Sequence, residues 1–464
     1  MPKHSRRDVI LASSILPLAN SGLAAASASV PSVLPLAPEV QARFEKFCDK
    51  GKLVGAMLAV VKDGRLLAFH GHGKASVAFD VPVAPSTRFQ IGSLGKQVTA
   101  VAVLHLVGQG KLSLDDAVGK HVSGLPNWME PLPVRLLLGH LSGIADYEVG
   151  FEWDRPFPRE ALLKAVADPI GRRQEVWVYS NSAYVMLGWL IEAISGRSYA
   201  DYIEQDLFRL AGMPLACADA ADTPVEYRAE PYHWVDGVLH HATRMENMVS
   251  RSGDGGVLFS ALDWAPWLAA IDGGTFVSSA PLAAMYQPGR FASGRASDYG
   301  FGWFLDKVRG QNVWSHSGSV PGFISLILRY PGHGLSVIFH ANCEPSAGTS
   351  RLVLEEVIEH YAPGATFLTL SSRPEPSSRR EKRLAAFLAG DLGSNAVAPE
   401  IISADRVAKR PPGPRIKGMV TDIGLLETYP VQGGSVSRYR IRTDETERTI
   451  KIGWTTEDQV YLYR

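Results

Sequence analysis

The chain has 464 residues, of which 46% are hydrophobic and 20% charged, with 47 basic and 47 acidic side chains. That length exceeds one ordinary hydrophobic core, so two units are expected. Balanced charge removes the electrostatic case for nucleic acid or an anionic membrane surface as the main partner. The three cysteines, Cys48, Cys217 and Cys343, are too few and too scattered for a disulfide framework or a zinc site.

Residues 1–28, MPKHSRRDVILASSILPLANSGLAAASA, read as an export signal. A basic start leads into a short apolar stretch and then into small residues that fit cleavage after Ala26 or Ala28. The apolar stretch is too short, and too interrupted by Pro17, to span a bilayer. Arg6 and Arg7 followed by an apolar run resemble a twin-arginine signal, which implies export of an already folded protein into the periplasm or beyond. No later stretch reads as a transmembrane helix.

APEVQARFEKFCDKGKL then has helical periodicity, and VGAMLAVVKDGRLLAFHGHGKA reads as two strands joined by a tight turn at Lys62-Asp63-Gly64. A mostly helical region follows, from Ser93 to about Met213. NVWSHSGSVPGFISLILRYPGHGLSVIFHANCE reads as three strands, and SRLVLEEVIEHYA as an amphipathic helix. Strands at both ends of this region with helices between them predict one sheet assembled from both ends of the chain. LSSRPEPSSRREK, spanning the linker assigned to 371–382, precedes a β-rich appendage over 383–464 that alternates apolar and polar residues. No cluster in the appendage suggests chemistry.

The chemistry gathers in RFQIGSLGKQVTAVAVLHLVGQGKL. From Val98 to Val107 nearly every residue is apolar or small, which predicts about four turns of buried helix beginning near Leu94. Ser93 and Lys96 are three residues apart and so share a face at its N-terminal end. Burial and the positive potential of a helix start both favour a neutral lysine, able to take the proton of a neighbouring serine. Tyr179-Ser180-Asn181 comes just before a second apolar helix, which Asn181 or Ser182 would cap. A tyrosine near a lysine cation shifts toward phenolate and can act as a base. His316-Ser317-Gly318-Ser319 lies on a predicted strand. There Gly318 would let a substrate approach the backbone, and the Ser319 N–H would join that of Ser93 as an oxyanion donor. His140, His233, His240 and His241 read as structural or solvated. No G-x-S-x-G elbow is present in the chain.

The order of S-x-x-K at Ser93–Lys96, Y-S-N at Tyr179–Asn181 and H-S-G at His316–Gly318 resembles the serine β-lactamase family, in its branch of class C β-lactamases, esterases and D-aminopeptidases. RLLLGHLSGIADY, DLFRLAGM, SGDGGVLFSALDWAPWL and YGFGWFLD agree with that branch, and the resemblance covers roughly residues 38 to 362. It implies an α+β, β-lactamase/transpeptidase-like fold over residues 36–365: an antiparallel sheet flanked by helices, with a mainly helical subdomain and the site in the cleft. It implies that Ser93 is the acylated nucleophile, that Lys96 and Tyr179 share the base work, and that Asn181 contacts substrate. The Ser93 and Ser319 amides would form the oxyanion hole, with no metal or cofactor. The last strand would lie beside the first, which brings Cys48 and Cys343 together as a disulfide pair. One departure stands out: β-lactamases and transpeptidases usually carry lysine where this chain has His316, and a largely neutral imidazole is a weaker anchor for a substrate carboxylate. The expected protein is a periplasmic serine hydrolase acting on a small ester or on a D-amino-acid amide or peptide. The alternatives are a β-lactamase or penicillin-binding D,D-carboxypeptidase, or a non-catalytic binding protein on the same fold.

Overall fold

β1 (Gly55–Lys62, GAMLAVVK) has no polar face, and it is buried on both sides. Met57, Ala59 and Val61 enter one hydrophobic core, while Ala56, Leu58 and Val60 enter another. The alternation of side chains along a strand puts successive residues on opposite faces, so this one strand divides the molecule into two layers. The computed structural model describes residues 33–147, 157–170, 173–219, 223–242, 253–344, 350–389, 419–445 and 447–463. The stretch read as an export signal lies outside them.

β1 turns into β2 (Arg65–Ser76), as the sequence predicts. The chain returns to the same sheet with β3 (Phe304–Val308), β4 (Gln311–Val320), β5 (Phe323–Tyr330) and β6 (Leu335–Ala341). The strand order is β2-β1-β6-β5-β4-β3, and these pairings are antiparallel. A two-residue strand, Leu34–Pro35, adds to the β2 edge in parallel. The fold is therefore the α+β, β-lactamase/transpeptidase-like architecture expected, with the sheet closed by β6 against β1.

Five helices position the site or cover its sheets: α1 (Pro38–Gly51), α2 (Lys96–Gly108), α3 (Asn181–Ser195), α4 (Ser350–Tyr361) and α5 (Ser378–Ala389). α1 and α4 cover one face of the sheet through Val40, Phe44, Leu354, Val357 and Ile358. α2 and α3 lie in the other core. α2 starts at Lys96 rather than near Leu94, because Ser93 belongs to a 3₁₀ turn, Gly92–Gly95. Leu94 N donates to Ile91 O three residues back, and the Ser325 hydroxyl takes the same carbonyl, which holds the tighter winding. α3 is capped by Ser180, whose Oγ accepts from Ala183 N at 3.1 Å, and not by Asn181 or Ser182. Asn181 is already inside the helix and its side chain is bonded elsewhere.

The expected Cys48–Cys343 disulfide is absent; both thiols are free and buried. The topology behind the expectation holds, with Ala341 opposite Ala56. Cys48, however, points from α1 into the core shared with α4. Cys343 lies past the end of β6, where its Sγ contacts Glu344 O and its backbone bridges to Tyr232.

β7 (Val420–Val431), β8 (Gly434–Thr443), β9 (Glu447–Thr455) and β10 (Val460–Tyr463) form a separate antiparallel sheet in that order. α5 packs on it through Leu384 and Phe387. The stretch read as a linker is held in place: Arg373 and Leu425 exchange backbone hydrogen bonds of 2.9 and 2.7 Å, and α5 begins at Ser378. Leu426 joins the core under α1 and α4. Arg438 donates to Asp306 on β3 at 2.8 Å, and Lys451 reaches Asp298 at 3.2 Å. This sheet is thus tied to the same strand array that carries His316. No helix among the described residues is long and apolar enough to cross a membrane.

Candidate active site

Lys96 is fully buried at the first turn of α2, and among the described residues three oxygens lie within hydrogen-bond distance of its Nζ. Asn181 Oδ1 lies at 2.6 Å, the Asp254 carbonyl at 2.8 Å and Ser93 Oγ at 3.1 Å. The Asn181 amide is oriented by its Nδ2, which donates to Asp146 Oδ2 at 3.1 Å. Two of the three oxygens are carbonyls and can only accept. A neutral amine has two N–H groups for those carbonyls and one lone pair left for the oxygen that carries a proton, Ser93 Oγ. The ammonium fits equally well, donating to all three. The site accommodates the lysine both before and after proton uptake, and Ser93 itself is half-buried.

Aromatic rings form the wall beside the lysine. Lys96 Nζ lies 4.9 Å from the Tyr179 ring centroid and 5.5 Å from that of Tyr184. Both rings offer a π face that favours the charged amine. His140, read from the sequence as structural, packs against Tyr179 with ring centroids 4.4 Å apart and planes tilted by 35°, and its Nδ1 accepts from Ser180 N at 3.1 Å. It orients the tyrosine and the start of α3 together. Trp177 and Tyr299 close the cluster around Tyr179.

The third motif arrives on β4. A Cβ at Gly318 would overlap the Ile91 carbonyl, so glycine is what lets β4 lie against the turn that carries Ser93. The Ser319 amide faces that turn: a Cβ on Gly92 would sit 3.0 Å from Ser319 N. His316 is buried, and burial together with the nearby Lys96 charge pushes its pKa down to about 3. Its Nδ1 is 2.7 Å from Ser317 O, a carbonyl, so Nδ1 carries the proton; Nε2 then accepts from the Tyr299 hydroxyl at 2.9 Å. A neutral imidazole with both nitrogens committed provides no cation for a carboxylate.

The geometry thus brings Ser93, Lys96, Tyr179, Asn181, His316, Gly318 and Ser319 into one cluster. It adds Asp146, Asp254 and Tyr299, which sequence reasoning did not single out. Their signal was present in GHLSGIADY, SGDGG and YGFGW, where they sit among residues that match the family pattern. Among the described residues, no group of three His, Cys, Asp or Glu side chains is placed to hold a metal ion.

Comparison with family sequence models matches residues 40–361 to Beta-lactamase. The chain belongs to the β-lactamase family. It is a serine hydrolase of that family, among relatives named as peptidases, amidases and penicillin-binding proteins. Penicillin-binding protein 4* of Bacillus subtilis (strain 168) is 29% identical over 364 residues, covering 74% of this chain and 79% of that protein. A D-aminopeptidase of Brucella anthropi is 31% identical over 281 residues, covering 58% of this chain; the match spans about half of that relative, 52% of its length. Among solved structures, the octameric penicillin-binding protein homologue from Pyrococcus abyssi has a TM-score of 0.62 at 22% identity, covering 92% of this chain and 94% of that one. The D-amino acid amidase from Ochrobactrum anthropi SV3 complexed with D-phenylalanine has a TM-score of 0.59 at 24% identity, covering 69% and 95%. At these identities the solved structures bear on the fold alone.

Proposed function

We propose that this β-lactamase-family protein is a periplasmic hydrolase that cleaves a small ester, or an amide or peptide of a D-amino acid, through an acyl-enzyme on Ser93. The observation that carries the reading is the placement of Lys96 Nζ among Ser93 Oγ and two carbonyl oxygens. Ser93 Oγ attacks the substrate carbonyl carbon and its proton passes to Lys96. The Ser93 and Ser319 amides receive the oxyanion. The C–N or C–O bond breaks, the leaving group takes a proton from the site, and water releases the acid. Tyr179 borders the lysine and shares the proton transfer; Asn181 fixes the lysine and borders the substrate. The neutral His316 favours substrates without a carboxylate at that position, such as amides and esters, over β-lactams and cell-wall peptides. The names of the D-aminopeptidase and D-amino acid amidase relatives point to the same substrate class.

The purified mature protein is to be treated with a fluorophosphonate probe and read by intact mass, beside turnover of p-nitrophenyl acetate, D-Ala-p-nitroanilide and nitrocefin. One adduct in the wild type and none in Ser93→Ala, with hydrolysis of the D-anilide or the ester, supports the reading. Equal labelling in Ser93→Ala sinks the acyl-enzyme and favours a binding protein; nitrocefin as the best substrate favours a β-lactamase. Export rests on Arg6 and Arg7: a precursor with both changed to Lys is expected to stay in the cytoplasm on fractionation, and export through that change would overturn the twin-arginine assignment.

A further inference from the structure

Asp254 takes part in the site twice, and the acyl-transfer scheme gives its carboxylate no part. Its carbonyl accepts from Lys96 Nζ at 2.8 Å, and its carboxylate Oδ2 accepts from the Tyr147 hydroxyl at 2.6 Å. The side chain is buried at 7% exposure, and Oδ1 has no hydrogen-bond partner among the described residues. A buried carboxylate with one oxygen left unbonded is costly, and such groups in native proteins call for an explanation. The backbone around it is locked. Gly253 has φ +118°, and a Cβ there would lie 2.6 Å from Tyr184 O on α3. Gly253 O accepts from the Thr99 hydroxyl of α2 at 2.5 Å. The turn is wedged between the two helices that carry Lys96 and Asn181.

We propose that Asp254 is a positioning residue for acylation, its carbonyl fixing Lys96 beside Ser93 and its carboxylate balancing the cation that Lys96 becomes on taking the Ser93 proton. The proposal rests on the acyl-enzyme reading above. In the step concerned, the Ser93 O–H bond breaks, its proton bonds to Lys96 Nζ, and the Oγ–C bond forms. Positive charge therefore appears at Lys96 as negative charge appears on the substrate oxygen. An anion already held in a water-poor site lowers the energy of that cation without reorganising. The groups facing Asp254 are Lys96 from α2, Tyr147 and the Asp146 carboxylate from the loop that precedes residue 148, and Tyr199 from the helical turn Tyr199–Tyr202. His316 of β4 senses the same lysine. Burial raises the Asp254 pKa to about 6, while Lys96 and the Tyr147 hydroxyl pull it back. Below that pH the carboxylate takes up a proton and the lysine loses its counter-charge.

The test is the rate of fluorophosphonate labelling of Ser93 from pH 4.5 to 9 in the wild type, Asp254→Asn and Tyr147→Phe, with circular dichroism as a check on folding. The wild type is expected to lose rate through an acid limb near pH 6. Asp254→Asn should lower the plateau at least about tenfold, the rate equivalent of one pKa unit of lost charge interaction, and remove the limb near pH 6, because an amide takes up no proton there. Tyr147→Phe should move it to higher pH, because the carboxylate loses a donor that favoured its charged form. Loss of the limb in one variant and its upward shift in the other are not what a merely structural role would give. If Asp254→Asn does not fold, the upward shift in Tyr147→Phe decides alone. Labelled variants whose limbs coincide with that of the wild type overturn the proposal and leave the acyl-enzyme standing; a wild type that takes no label overturns both.

Discussion

The Tyr299 hydroxyl donates to His316 Nε2 at 2.9 Å, while His316 Nδ1 is bound to the carbonyl of Ser317. The pair holds a neutral, buried histidine on the strand that packs against the Ser93 turn. Tyr299→Phe removes the donor and leaves a buried ring nitrogen without its partner. A loss of about 1–3 kcal/mol in unfolding free energy is expected, the range for an unsatisfied buried acceptor. Urea unfolding at pH 7.5 measures it, and an unchanged midpoint and slope would show that the bond contributes nothing.

Gly318→Ala puts a methyl group into the Ile91 carbonyl and beside the Ser325 hydroxyl. β4 must then move away from the 3₁₀ turn that holds Ser93. A displacement near 1 Å can cost about 100-fold in rate, so probe labelling of Ser93 should slow by that order while the protein stays folded. Labelling at the wild-type rate would mean that β4 does not set the geometry of the turn.

His340 on β6 accepts from Trp264 Nε1 at 2.8 Å in the core, and burial pushes its pKa from 6.5 down to about 3. The unfolded chain takes up this proton below pH 6.5 and the folded chain does not. The stability that this difference supports is complete above pH 6.5 and is lost as the pH falls toward 3, by up to about 1.4 kcal/mol per pH unit. His340→Gln should be less stable than wild type at pH 7.5, with the gap narrowing on acidification to pH 4.5. Asp254, raised to about 6, works in the opposite direction below that pH, but it is common to both chains and cancels in the comparison. A gap that is constant with pH, in urea titrations, would contradict the assignment.

Asp306 joins the C-terminal sheet to the catalytic sheet. It accepts from Arg438 and from the Tyr429 hydroxyl, both at 2.8 Å, and the Asp306 and Arg438 side chains are 6% and 4% exposed. The surrounding cations hold its carboxyl far below the usual range despite burial. Arg438→Met leaves both Asp306 and Glu427 short of a buried partner, and breaking such a pair typically costs about 3–5 kcal/mol. The urea midpoint should drop accordingly, and it should recover in part in Arg438→Met/Asp306→Leu, where the buried charge is removed with its partner. No change in the single variant would mean that the sheet is held by its apolar contacts.

Much of the fold was legible along the chain. The strand pair β1–β2 with its tight turn, the three strands β4 to β6 and the apolar stretch of α2 are local patterns, and each appears where it was expected. That Ser93, Lys96, Tyr179, Asn181, His316, Gly318 and Ser319 belong together was legible too, because three short motifs named them, and the structure brings the three motifs side by side. The boundaries were less so. The sequence could not show that Leu94 would wind as 3₁₀ or that Ser180 rather than Asn181 would cap α3, since both depend on bonds to Ser325 and Lys96 from distant segments.

Tertiary structure alone decided the rest. Cys48 and Cys343 flank neighbouring strands but stay apart, because the facing of a helix residue is set by its core partners and not by strand order. The Pro/Ser/Arg composition of residues 371–382 reads as a tether, yet Arg373 pairs with Leu425 and the following sheet docks through Asp306. Asp254 and Tyr299 lie in SGDGG and YGFGW, but only packing sets the polar atoms that they meet once water is excluded. Residue type dictates what a side chain can donate, accept or bury, and packing determines the partner that it meets.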